Sequence, residues 1–155
     1  MNQNIGIKKL GQMHIKTSTD SMNVDISFDR LARYMSASQR ALDDQVLKDM
    51  TNYIPMETGN LTNQTLAINR ENIGSGELIL DTTEYARYLY HGKLMVDPET
   101  GSAWAHQGTI KVLTDEALSF SKSSHGKADS HWFERAKEER KRTWLNVARR
   151  AAGKR

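Results

Sequence analysis

The 155-residue chain contains no cysteine, which excludes disulfides and thiolate-bound metal and leaves the redox compartment unread. It has no apolar run approaching the roughly 18 residues that a membrane span needs, and its first residues lack the apolar core of a signal peptide. A soluble chain with no membrane partner is the expectation. Proline is scarce, with only Pro55 and Pro98, so each is read as a boundary rather than as part of a Pro-rich linker. Metal-ligand spacing is also missing. None of the five histidines, His14, His91, His106, His125 and His131, forms the i, i+4 pair of a helical zinc site, so no metal is expected.

What is present is one domain's length of chain, enough to bury a core without staples. The formal net charge is only +3, from 22 basic and 19 acidic residues. From His131 onward nine basic residues stand against three acidic ones, a local charge of +6, which leaves 13 and 16, or −3, for the remainder. Opposite charge on two parts of one chain suits contact with further copies or with acidic neighbours.

The stretch around which the chain is organised runs from Tyr53 to Gly92. Pro55 stops any preceding helix, and Thr58 and Gly59 supply the turn that must follow. Thr65–Ile68 and Glu77–Leu80 read as two strands joined by the Gly74-Ser-Gly76 turn, because Leu66, Ile68, Leu78 and Leu80 alternate with polar residues. Tyr85–Tyr90 then reads as a short aromatic helical turn closed by Gly92.

Upstream, residues 1–21 are polar around isolated apolar residues and read as a flexible or partner-ordered arm. Residues 22–155 read as a single α+β domain. Met22, Val24 and Ile26 alternate as a strand, and Leu31, Met35, Leu42, Val46, Met50 and Tyr53 recur at helical spacing up to Pro55. Downstream, Asp97-Pro-Glu-Thr-Gly101 is turn chemistry within a hairpin expected to project over residues 93–105. Ala117–Lys122 reads as another strand. A final helix follows Asp129 or Ser130, with Phe133, Ala136, Thr143, Trp144, Val147 and Ala151 on its apolar stripe. The fold expected is α+β, a small mixed or antiparallel sheet with hairpins, packed by a long N-terminal helix and a C-terminal helix.

Candidate chemistry is thin. Asp81, Glu84, Asp97 and Glu99 offer carboxylates for acid–base work, but Asp97 and Glu99 suit a turn and Glu84 a helix start. No Ser-His-Asp order stands out, so an enzyme is not expected and no cofactor is implied. Two surfaces remain. Trp104, with Met95 on the same hairpin among Lys93, Asp97 and Glu99, suits an interface anchor, since aromatic residues and methionine are favoured in interface cores. The basic face of the final helix, with Arg135, Arg140, Arg142, Arg149 and Arg150, suits an acidic surface or phosphate, the second giving the alternative of a nucleic-acid-binding module.

Three motifs in order suggest a family. Tyr53-Ile-Pro-Met-Glu-Thr-Gly-Asn-Leu61, then Thr83-Glu-Tyr-Ala-Arg-Tyr-Leu-Tyr-His-Gly-Lys93, then Ala128-Asp-Ser-His-Trp-Phe-Glu-Arg-Ala-Lys137 resemble the minor capsid and tail-completion proteins of tailed bacteriophages, over about Val24 to Ala152. The resemblance implies a structural virion protein of the phage neck, made in the host bacterial cytoplasm, that joins the DNA-filled head to the tail. By family analogy it implies a homo-oligomeric ring, a hexamer, bordered by adjacent neck proteins and by tail tube or terminator proteins. DNA would pass through the channel without sequence-specific binding, and no catalytic residue is carried over. The hairpin and the final helix would then make the contacts between subunits and between rings.

Overall fold

The computed structural model describes residues 10–19, 22–80, 82–83 and 85–153. The leader residues 1–9, the carboxylates Asp81 and Glu84, and the basic pair Lys154 and Arg155 lie outside the described residues. In chain order the elements are β1 (His14–Thr19), β2 (Met22–Ser27), α1 (Asp29–Thr51), α2 (Asn60–Arg70), α3 (Ala86–His91), β3 (Lys93–Val96), β4 (Val112–Ala117) and α4 (Trp132–Ala151). The fold is α+β, with two separate two-stranded antiparallel sheets, β1–β2 and β3–β4. The described residues group into two compact units, one of those up to Lys48 with Asn69–Leu78 and those from Arg140 onward, the other of those in Asp49–Ile68 and Ile79–Glu139.

In the first unit, β1 falls within the segment read as an arm and pairs with β2 at every position from His14↔Ser27 to Thr19↔Met22. Period two sorts this ribbon into two faces. One carries Lys16 and Asp25, ion-paired at 3.4 Å, with Ser18 donating to Asn23. The other carries Ile15, Ile26, Met22 and Val24, of which Ile15, Ile26 and Met22 are exposed. Ser27 then starts α1, its hydroxyl accepting from the Asp29 N–H at 3.3 Å. The long helix packs against α4 here, where the Ser38 hydroxyl donates to the Ala148 carbonyl at 2.9 Å. Ala32, Val46, Leu47 and Trp144 are the buried apolar residues of this unit. Leu31 and Met35, placed by spacing on the buried stripe of α1, are instead exposed.

Asp43 ties α1 to the turn after α2. Its buried carboxylate accepts the Gly74 and Gly76 N–H groups at 2.8 and 3.0 Å and the Gln39 amide at 2.7 Å. A buried carboxylate is tolerated when its lone pairs are filled in this way. Gly74-Ser-Gly76 is thus a turn, but not that of a hairpin.

The expected strand at Thr65–Ile68 is helix, and residues 77–80 join no ladder. Helical spacing outweighed the local alternation: Leu61, Thr65 and Asn69 are buried at i, i+4, i+8, whereas Ile68 is exposed. Thr65, a β-former by propensity, is held by a hydroxyl contact to Thr82 at 2.9 Å. The strand expected at Ala117–Lys122 is also displaced, because β4 ends at Ala117 and residues 118–122 are unpaired by any strand. The partner of β3 is β4, not residues 102–105, so residues 97–111 form a long connection.

The second unit buries Met50, Tyr53, Ile54, Leu61, Ala86, Ala128, Trp132 and Ala136. Its central junction depends on Gly92, which ends α3 in the left-handed region, φ 66°, and returns its N–H to the Tyr88 and Leu89 carbonyls. A Cβ there would stand 2.7 Å from Ser130 Cβ, so both the backbone and the close approach demand glycine. Beside it His131 donates its N–H to the Tyr90 carbonyl at 2.8 Å, and Asp129 donates to the Tyr53 carbonyl at 3.1 Å. These bonds join the ends of α1, α3 and α4, the three segments that carry the Pro55, Gly92 and Trp132 motifs.

Candidate functional site

In the β3–β4 connection, Asp97 is buried and organises its own turn. Its Oδ1 accepts the Glu99 and Thr100 N–H groups at 2.8 and 3.3 Å, and its carbonyl accepts the Gly101 N–H at 2.9 Å. Pro98, at the second position, presets this geometry. The Ser102 carbonyl accepts from Asp97 N–H at 2.8 Å, and the Ser102 hydroxyl from Trp104 N–H at 3.1 Å. Lys111 donates to the Ala103 carbonyl at 2.6 Å. The connection is therefore held by its own bonds, and it presents Trp104, 88% exposed, and Ile110, 86% exposed. Lys93 pairs with Asp115 at 3.5 Å, Met95 is half-buried and Glu99 is exposed. Asp97 acts inside the loop, and the apolar side chains displayed to solvent are Trp104 and Ile110.

The second unit also carries an open groove of about 880 Å³. The Pro55–Leu61 turn forms one side, with Gly59 at φ 80° and the Asn60 N–H reaching the Thr58 hydroxyl at 3.5 Å. Tyr85 and Leu89 of the α3 segment line another side, and residues 118–121 with Ser123 and Ser124 a third. Tyr85 is steadied by an Asn60 amide bond at 2.9 Å to its hydroxyl. Among the described residues Glu57 is the one charged residue in the lining, and the serines are exposed.

The basic residues of α4 divide by surroundings. Arg135 is engaged, with an ion pair to Asp129 at 3.0 Å and a bond to the Ser130 carbonyl at 3.0 Å. Arg140 is half-buried, while Arg142, Arg149 and Arg150 are exposed. Trp144, expected on the apolar stripe, is buried, and so is Trp132.

Aromatic rings gather where α3 meets the start of α4. Tyr90 stands edge-on to Trp132 at 4.7 Å between centroids and donates its hydroxyl to Glu134. Burial, then the carboxylate, pushes the Tyr90 pKa above the usual tyrosine value of 10.0. A raised pKa means that the folded state keeps its proton longer than the unfolded chain, so the stabilisation is complete below about pH 10 and is lost as pH rises beyond it. Wild-type stability should therefore fall more steeply above pH 10 than that of Tyr90→Phe in urea titrations; equal slopes would leave the hydroxyl without that role.

Among the described residues no group of three or more His, Asp or Glu side chains is placed to hold a metal ion. Nor, among them, is any helix long and apolar enough to cross a membrane. Sequence reasoning singled out Trp104 and the α4 basic face but missed the groove, the exposed Ile110 and the apolar face of the β1–β2 ribbon. Half of the ribbon was legible, as the strand of Met22, Val24 and Ile26; its partner strand offered only Ile15 among polar residues. The groove had none, being built from three distant segments.

No curated protein and no solved structure matches the chain. A family model does, that of the minor capsid proteins, over residues 15–152. That span takes in the Pro55 turn, the Gly92 junction and the Trp132 helix, the same three motifs that meet in the second unit. By this match the chain belongs to the minor capsid protein family, whose members are structural, non-enzymatic proteins of the virion.

Proposed function

We propose that this minor capsid protein is a subunit of the phage neck, joining the DNA-filled head to the tail as a ring of identical copies, a hexamer by family analogy. Its neighbours are the adjacent neck proteins and the tail tube or terminator proteins, and DNA passes through the channel without being read in sequence. The observation that carries this reading is Trp104, an 88% exposed indole on a loop that its own hydrogen bonds already hold. A free tryptophan of that kind is costly to display and is the residue type most enriched where binding energy concentrates. The exposed Arg142, Arg149 and Arg150 add a cationic surface for an acidic neighbour.

Particles made without the gene test the joining role. Full heads beside detached tails are expected; empty heads would assign the protein to retention of packaged DNA instead. The nucleic-acid reading separates by salt dependence, since phosphate binding by the α4 bases would show tight binding that weakens steeply with salt.

A further inference from the structure

The knob and the groove of the second unit are different patches of the same chain, and neither fills the other within one copy. Trp104 and Ile110 are almost fully exposed, and neither lines the groove. From this we infer that the Trp104–Ile110 end of the β3–β4 connection seats in the Pro55–Ser124 groove of a second copy of this chain. The inference rests on the ring reading above and supplies its contact.

Size, chemistry and charge agree. An indole brings about 150–250 Å² of surface to bury, and a groove of about 880 Å³ takes it together with a branched aliphatic side chain. Leu61, Leu89, Met56 and Phe120 supply apolar lining, and Tyr85 supplies an aromatic face fixed by Asn60. Among the described residues the one charged side chain in that lining, Glu57, is acidic. The side chain bound to the carbonyl beside Trp104 is the amine of Lys111. Opposite charges at the edge of the contact set its register. Because the two patches differ, the contact is head-to-tail, the kind that generates a ring when the rotation per copy closes.

The absence of cysteine makes the test clean, since each engineered thiol is the only one in its chain. Ile110→Cys is prepared as one full-length variant, and Ser121→Cys and Ser123→Cys as two others; all three positions are half-exposed or more, so folding should be kept. Native mass spectrometry first reads the assembled species of each variant. Copper-catalysed air oxidation of mixed copies should then give a disulfide-linked dimer between Ile110→Cys and one of the two groove variants, and none with either variant alone. Assembled rings in which neither groove variant couples, or in which Ile110→Cys couples only to itself, would overturn the knob-and-groove contact and leave the ring standing. Chains that stay monomeric in solution and in particles would remove the ring and this contact together.

Discussion

Trp104→Ala is expected to leave the isolated subunit as stable as the wild type and to remove it from assembled particles. The first half follows from exposure. A side chain 88% exposed has little native packing to lose, and surface substitutions of this kind usually stay within about 0.5 kcal/mol. The loop keeps its shape because the Asp97, Ser102 and Lys111 bonds go to backbone groups and not to the indole. The second half follows from where binding energy concentrates. Truncating a central tryptophan typically costs an interface at least about 2 kcal/mol, and about 2–4 kcal/mol weakens each contact about 30- to 1,000-fold. In a closed ring that loss recurs at every joint. Urea midpoints of the purified subunit and its abundance in purified particles check the two halves; a lowered midpoint would make Trp104 a folding residue, and normal incorporation would make it idle.

Trp132→Ala should do the reverse, unfolding the subunit before assembly becomes a question. Trp132 is fully buried at the first position of α4, edge-on to Tyr90, in the unit that also buries Ala136 and Ala86. Removing a buried tryptophan costs about 3–5 kcal/mol from transfer and the cavity left behind. Whole domains hold only about 5–15 kcal/mol, so the variant retains little stability at 37 °C. Trp132→Phe is the informative control. The indole N–H has no hydrogen-bond partner among the described residues, so replacing the indole with a phenyl ring sacrifices mainly volume, and a much smaller drop in urea midpoint is expected. Equal losses for both would mean that the indole makes a polar contact that a phenyl ring cannot, and that bulk does not decide.

Elements whose signals agreed were legible before any coordinates. In α1, the helical period and Pro55 beyond the end pointed the same way, and the helix runs Asp29–Thr51. Gly92 announced the end of α3, and Trp132 and Trp144 announced the buried side of α4. Misreadings came where signals conflicted. Residues 60–70 carry both the alternation Leu66, Ile68 and the spacing Leu61, Thr65, Asn69; tertiary burial of the second set decided for helix. The β3 partner was misplaced because Asp97-Pro98 and Gly101 suggest a tight hairpin, whereas the turn they form sits inside a longer connection. For the candidate site, an isolated tryptophan among turn residues was visible in the chain. The groove was not, because its lining comes from residues more than sixty positions apart; Asp97 was legible as a turn residue, whereas its burial was not.

The β1–β2 ribbon has a consequence of its own for the life of a newly made copy. Among the described residues neither strand of this ribbon pairs with a third, and the side chains of Ile15, Ile26 and Met22 are exposed. Such an element invites pairing with whatever strand arrives first, including that of an identical chain still waiting in the cell. The Lys16–Asp25 pair across the strands keeps charge on this ribbon, the ordinary guard against sheets growing by stacking. Storage at high concentration is therefore a hazard for the free molecule, and prompt incorporation is its natural remedy.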